Sequence, residues 1–179
     1  MAATVLSNGT RYATLPHSYV HPLSQRPQLS AVDTCDDIPV IDLGCGDRNL
    51  LVRQIGDACR LYGFFQIINH GVPKRVVEEM LEVSHEFFNL SVEEKMKLYS
   101  DDPSRTMRLS TSFNITKETV HNWRDYLRLH CYPLEKYAPE WPSNPSSFKS
   151  TTVEAIFAAA DVRLAATVAG SAGTVAGRW

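Results

Sequence analysis

Six histidines are the first candidates for chemistry in this 179-residue chain, at positions 17, 21, 70, 85, 121 and 130. An imidazole paired with a nearby carboxylate can hold iron or zinc or pass a proton. None of the six is followed two residues later by Asp or Glu, so no His-x-Asp ligand pair is present. His70 is followed by Gly71 and Val72, which suits a histidine that shapes a turn better than a metal ligand. The four cysteines, Cys35, Cys45, Cys59 and Cys131, show neither Cys-x-x-Cys nor zinc-finger spacing. Arg108-Leu-Ser110 has the form of a carboxylate anchor, but a three-residue pattern with one free position carries little weight. Asp42 and Asp125 lack an acid partner at suggestive spacing, so no acid/base pair is proposed. Trp123, Tyr126 and Tyr132 could form an aromatic cage, although such residues more often pack. Glu93, Glu94, Lys95 and Lys97 read as a solvated helix face.

Composition narrows the classes. The net charge is −2 and the pI about 6.3, so no electrostatic feature draws the chain to nucleic acid or an anionic membrane. No apolar run approaches the roughly 20 residues of a membrane span. The cysteine usage makes a reducing compartment, the cytoplasm, the default. Residues 1–32 contain no Asp or Glu and carry Arg11 and Arg26, a composition shared with weak transit peptides. Pro16, Pro22 and Pro27 interrupt any long amphipathic helix there, which favours a flexible arm.

The elements that must position these residues follow from periodicity. Ile38-Pro-Val-Ile-Asp-Leu43 predicts a short strand, with Asp47 or Asn49 capping a helix over 50–62. Leu51, Ile55, Ala58, Cys59 and Tyr62 share one face of that helix, and Gly63 stands where a C-terminal glycine belongs. Phe64-Phe-Gln-Ile-Ile68 predicts a strand, and Asn69-His-Gly71 a turn. Pro73 opens a second helix whose buried stripe is read as Val76, Val77, Met80, Leu81, Ser84, Phe87 and Phe88. Ser91-Val-Glu-Glu94 is a capping box starting a short helix that ends near Tyr99. Two strands are expected near 107–114 and 123–132, and the Pro- and Ser-rich stretch over 139–147 reads as a loop or linker. After Lys149 the composition turns to Ala, Val, Thr and Gly. Val153, Ile156, Phe157, Ala160 and Leu164 allow a helix to about Val168, and a low-complexity end is expected to be disordered.

Three of these segments, Ile38-Pro-Val-Ile-Asp-Leu43, Gly63-Phe-Phe-Gln-Ile-Ile-Asn-His-Gly-Val-Pro73 and Phe87-Phe-Asn-Leu-Ser-Val-Glu-Glu-Lys95, resemble the plant 2-oxoglutarate- and iron(II)-dependent dioxygenases. Asn122-Trp-Arg-Asp-Tyr-Leu-Arg-Leu-His-Cys-Tyr-Pro133 extends the resemblance, which covers roughly residues 12–149 in one register. Lys97-Leu-Tyr-Ser-Asp-Asp-Pro103 and Thr106-Met-Arg-Leu-Ser-Thr-Ser-Phe-Asn114 look most like the downy-mildew-resistance type, whose relatives hydroxylate salicylate or make flavones.

The resemblance implies an α+β chain, an N-terminal helical region with a few strands of a double-stranded β-helix (jelly roll) whose barrel core is missing. In the family that barrel holds iron through His-x-Asp and a distant His, and an Arg-x-Ser anchors 2-oxoglutarate. Arg108-Leu-Ser110 precedes any such ligand and is therefore a decoy for that anchor. The strand carrying it is expected to border the substrate cavity, with Arg108 or Phe113 facing an aromatic acid. The plain alternative is a surface arginine and a core phenylalanine.

The expected organisation is an arm over 1–36, a non-haem dioxygenase N-terminal domain over 37–149, and a divergent tail over 150–179. No catalytic, cofactor or metal residue is assigned to the chain as written. Iron(II), 2-oxoglutarate and a small aromatic substrate belong to full-length relatives. A frame change or altered splice near Lys149 would account for the shift in composition. The competing reading is a non-catalytic module whose uncovered faces bind another protein.

Overall fold

The Asp47 carboxylate accepts a hydrogen bond from the Leu50 amide (3.0 Å), satisfying one of the orphan donors that every helix start exposes. The helix it caps is α1, Arg48–Leu61. The computed structural model describes residue 6 and residues 13–26, 28, 37–113 and 117–168, with side chains described to residue 160. The expectations for most of the arm, for Asn114, for Leu164 as a stripe residue and for the low-complexity end lie outside the described residues. The chain is a mixture of helices and short strands, as the α+β reading requires. It divides into two compact units, one formed by 1–26 with 78–153 and the other by 27–77 with 154–179.

In the second unit, β1 (Val40–Asp42) and β2 (Gln66–Ile68) pair in parallel, with Ile41 opposite Ile67. Helix α1 is the crossover between them, as a parallel pair demands. Gly63 ends the crossover at φ +76°, a conformation in which a side chain is disfavoured. Its amide donates to the Ala58 carbonyl at 3.1 Å. Ile41 and Ala58 are buried, at 2% exposure each. The remaining apolar stripe of α1 is less covered than the periodicity predicts. Leu51 and Ile55 are half-buried, while Cys59 and Tyr62 are exposed. Cys59 is thus not a core thiol, because its side of the helix meets too little partner surface.

The first unit is built on α2 (Lys74–Phe88), whose C-terminal part it contains. Val83 and Phe87 are buried there, and Val83 is a core position that the predicted stripe omitted. Leu81 in this unit, and Val77 just outside it, are exposed, so the covered face is narrower than the predicted stripe and centred on Val83. Ser91 accepts from the Glu94 amide and starts α3 (Val92–Met96), confirming half of the capping box.

Strands β3 (Met107–Thr111) and β4 (Asp125–Leu129) pair antiparallel, with Arg108 opposite Arg128, Leu109 opposite Leu127 and Ser110 opposite Tyr126. The other edge of β3 is taken up by the backbone near Tyr99, where the Leu109 amide donates to Leu98 and the Leu109 carbonyl accepts from Ser100, both at 3.0 Å. With both edges paired, β3 is buried along its whole length. Its apolar face supplies Leu109 to a core with Val83, Phe87 and Phe148.

The stretch over 139–147, read as a loop or linker, is a loop up to the start of the next helix, with Trp141 and Pro142 buried and most of the residues after them exposed. Helix α4 (Leu134–Tyr137) precedes it, a 3-10 turn over Ala138–Glu140 leads into it, and the indole of Trp141 donates to the His130 carbonyl at 3.0 Å. Phe148 then begins α5 (Phe148–Val168) inside the core. An aromatic side chain flanking a proline loop thus outweighs the polar composition around it.

Candidate functional site

The polar face of the β3–β4 hairpin gathers the chemistry. Side chains alternate across a strand and directly opposed residues share a face, so Arg108 and Ser110 of β3 stand with Arg128 and Tyr126 of β4. Arg108 is 7% exposed. Its guanidinium donates to the Asp101 carbonyl (3.3 Å) and to the Tyr126 hydroxyl, and lies over the Tyr126 ring, 5.5 Å from its centre. The Tyr126 hydroxyl in turn donates to the Phe113 carbonyl at 3.4 Å. Tyr99 donates to the Asp101 carboxylate at 2.7 Å. Burial, reinforced by that carboxylate, holds the Tyr99 phenol well above its ordinary range.

Two sequence expectations change here. Arg108 is not a surface arginine, because the pairing on both sides of β3 draws the whole strand inside. Phe113 is not a core residue and is 67% exposed. The cause is local. Ser112 takes a positive φ of 59° and turns the chain at the end of β3. Three bonds hold Ser112 there. Its amide donates to Arg124 (2.8 Å), its hydroxyl donates to the Glu118 carboxylate (2.6 Å), and the same hydroxyl accepts from the Asn122 amide (2.6 Å). Arg108 and Phe113 therefore meet through Tyr126 rather than by sharing one surface.

Lys95 departs from the solvated face assigned to it. It is 1% exposed and donates to the Phe88 carbonyl at 2.7 Å, an acceptor in the last turn of α2. Helix ends leave such carbonyls unpaired, and a cation is favourable there. Burial lowers the Lys95 pKa, and the charge of Asp125 opposes that shift. Tyr132 is 90% exposed, so it packs against nothing substantial. Trp123 is half-exposed, with Tyr19 edge-on to it at 4.9 Å, and Tyr19 also meets His121 at 5.6 Å.

The described residues do not fit an iron centre. Among the described residues no three His, Cys, Asp or Glu side chains converge to hold a metal ion. The Nδ1 atom of His70 accepts from the Val72 amide at 3.1 Å, which is the turn-shaping role its sequence context suggested. His121 Nδ1 lies 3.8 Å from Glu118, and the His130 ring rests edge-on to Tyr137. Arg108 and Ser110 are brought together on one face, but no metal-binding cluster accompanies them among the described residues. Sequence reasoning missed Arg128 and Tyr99. The hairpin register sets Arg128 opposite Arg108, and a connector of more than ten residues leaves that register open in the sequence, while Tyr99 is brought to the other edge of β3 by its bridge to Leu109.

The profile of the family described as non-haem dioxygenase in morphine synthesis N-terminal matches residues 38–146, a span that includes β1, the hairpin and Trp141. The chain belongs to this family. It is 62% identical over 149 residues to the protein Downy Mildew Resistance 6 of Arabidopsis thaliana, covering 83% of this chain and 44% of that protein. It is 60% identical over 136 residues to Flavanone 3-dioxygenase 2 of Oryza sativa subsp. japonica, covering 76% of this chain and 40% of that one. Among solved structures it is similar to JOX2 in complex with 2OG, Fe and JA, with a TM-score of 0.70 and 30% identity over 87% of this chain and 44% of JOX2. The resemblance to plant 2-oxoglutarate/iron(II) dioxygenases of the downy-mildew-resistance type is thereby borne out. The chain spans about two-fifths of the length of the curated relatives it matches.

Proposed function

We propose that this chain is the N-terminal, substrate-side portion of a 2-oxoglutarate- and iron(II)-dependent oxidoreductase, and that it does not oxidise a substrate by itself. One observation carries the reading. The family match spans residues 38–146, yet none of the six histidines has a carboxylate two residues on, and no metal-binding cluster forms among the described residues. The reaction of the whole protein would be hydroxylation or oxidation of a small aromatic acid or a flavonoid, in keeping with the flavanone dioxygenase among its relatives. Arg108 and Phe113 would border the substrate cavity. The jelly roll that supplies iron ligands and the 2-oxoglutarate anchor would come from sequence beyond this chain. The proposed organisation is an arm over 1–36, the dioxygenase N-terminal domain over 37–149 and a divergent tail over 150–179, acting in the cytoplasm. The test is direct. The purified chain is supplied with Fe(II), 2-oxoglutarate and salicylate, and 2-oxoglutarate loss is followed. Loss equal to a metal-free control is expected; consumption above that control overturns the inactivity.

A second reading, a non-catalytic interaction module, is favoured by one feature. Leu61, Phe64, Ile67 and Ile68 are 44–70% exposed within eight residues of sequence. Exposed apolar clusters of this kind commonly mark contact surfaces. A folded, monodisperse chain that captures neither a full-length relative nor another copy of itself would count against it.

A further inference from the structure

We propose that the polar face of the β3–β4 hairpin is a carboxylate-binding site built on Arg108 and Arg128, able to take a small aromatic acid without any metal. The inference rests on the reading above that the substrate side of this protein faces such an acid, and it adds the residues that hold the carboxylate.

The pairing of the two arginines costs stability as it stands. Arg108 is directly opposite Arg128 in the antiparallel register, and like charges opposed across a strand pair repel. Arg124, the residue before β4, lies with its guanidinium 5.8 Å from the centre of the Tyr126 ring. Neither Arg108 nor Arg128 forms an ion pair with a described carboxylate. Every acceptor they do have is a neutral oxygen. Arg108 donates to the Asp101 carbonyl and the Tyr126 hydroxyl, and one terminal nitrogen of Arg128 donates to the carbonyls of Pro103 and Arg105, both at 2.6 Å. The Nε atoms of both arginines are buried with no hydrogen-bond partner. Arg108 is buried and Arg128 part-buried, and taking the Arg108 charge out of water without a counter-charge is expensive unless something supplies one. The exposed Asp102 carboxylate feels Arg108 only weakly, since its pKa is lowered chiefly by hydrogen bonds from Ser104.

A guanidinium presents five donors in a plane, and the group that matches this fork is a carboxylate. The aromatic character comes from the same cluster. The Tyr126 ring lies beside Arg108, and the Tyr126 hydroxyl ties it to the backbone of Phe113, an exposed ring at the end of β3. Tyr126 is thus a positioning residue for Arg108. A lysine in place of either arginine would keep the charge and lose the fork.

The test uses the full 179-residue chain, free of metal, and reads the Nε–Hε signals of its arginines by nitrogen-resolved NMR. Sodium benzoate is titrated to about 10 mM, an upper range for a weak small-molecule site. Benzamide, its neutral isostere, and 2-oxoglutarate, an aliphatic dicarboxylate, are titrated in parallel. Benzoate is expected to move the Arg108 and Arg128 signals along a saturable curve and to leave Arg75, which is paired with Glu154, in place. Benzamide is expected to move none. Arg108→Lys and Arg128→Lys should each weaken benzoate binding by about tenfold or more, the order of one well-formed charged pair. If either variant unfolds, the wild-type titration decides alone. Equal shifts with benzamide, no saturable shift, or 2-oxoglutarate binding as tightly as benzoate would each overturn the proposal. Because no turnover is involved, a negative result leaves the dioxygenase reading standing, and turnover of 2-oxoglutarate by this chain would not bear on benzoate binding.

Discussion

Truncation of Phe87 and Phe148, singly and together, probes whether the start of α5 belongs to the core of the first unit. The matched family region ends at residue 146, so Phe148 lies just beyond it. Yet Phe148 is 2% exposed and its ring centre stands 5.5 Å from that of Phe87, which is fully buried. Phe87 also meets Phe88 edge-on at 5.2 Å. Replacing a buried Phe by Ala costs about 3–5 kcal/mol through lost transfer energy and the cavity left behind. Each single variant should therefore lose a large part of the roughly 5–15 kcal/mol that folded domains hold. With a urea m-value of about 1–3 kcal/mol/M, the midpoint falls by roughly 1–5 M. The double variant should cost less than the two singles combined, by about 0.5–1.5 kcal/mol for the ring pair, because the second truncation no longer removes that contact. The assay is urea unfolding followed by far-ultraviolet circular dichroism, with Trp141 fluorescence as a second probe of the same unit. A Phe148→Ala midpoint unchanged from wild type would refute the placement of α5 in this core. Strictly additive costs would refute the contact between the rings.

Three further outcomes are expected. Tyr99 is held protonated above its ordinary value of 10.0, so the folded chain binds more protons than the unfolded chain once pH exceeds that value. Stability should therefore fall as pH rises above about 10. Tyr99→Phe should flatten that slope, and absorbance at alkaline pH should show a phenol ionising above the ordinary tyrosine range that is lost in the variant. Ser91→Ala removes the acceptor for the Glu94 amide and should lower stability by about 0.5–2 kcal/mol, whereas Ser91→Asp should retain most of it. Gly63→Ala meets no atom within 4 Å of the added carbon, so its expected loss of about 1–2 kcal/mol is purely conformational, a consequence of φ +76° that thermal unfolding will report.

How much was legible in the sequence depended on how local the deciding physics was. Asp47, Gly63, Ser91 and the His70 turn act on backbone groups within a few residues, and each performs the role its neighbours in sequence suggested. Helices α1 and α2 were legible for the same reason, since an apolar period of about 3.6 residues is written along the chain. Family membership was legible too, through motifs that recur in one register. Tertiary structure alone decided the rest. Lys95 lies among charged neighbours, yet the way its short helix lies against the end of α2 buries it on an unpaired carbonyl. Arg108 looks like a surface residue until both edges of β3 are paired, and Phe113 looks like core until Ser112 turns the chain outward. Arg128 joins Arg108 only because the hairpin register sets them opposite each other, and a one-residue slip would place Arg128 on the other face. Caps and turns are settled by atoms a few bonds apart, whereas burial and charge pairing depend on which distant segments arrive alongside.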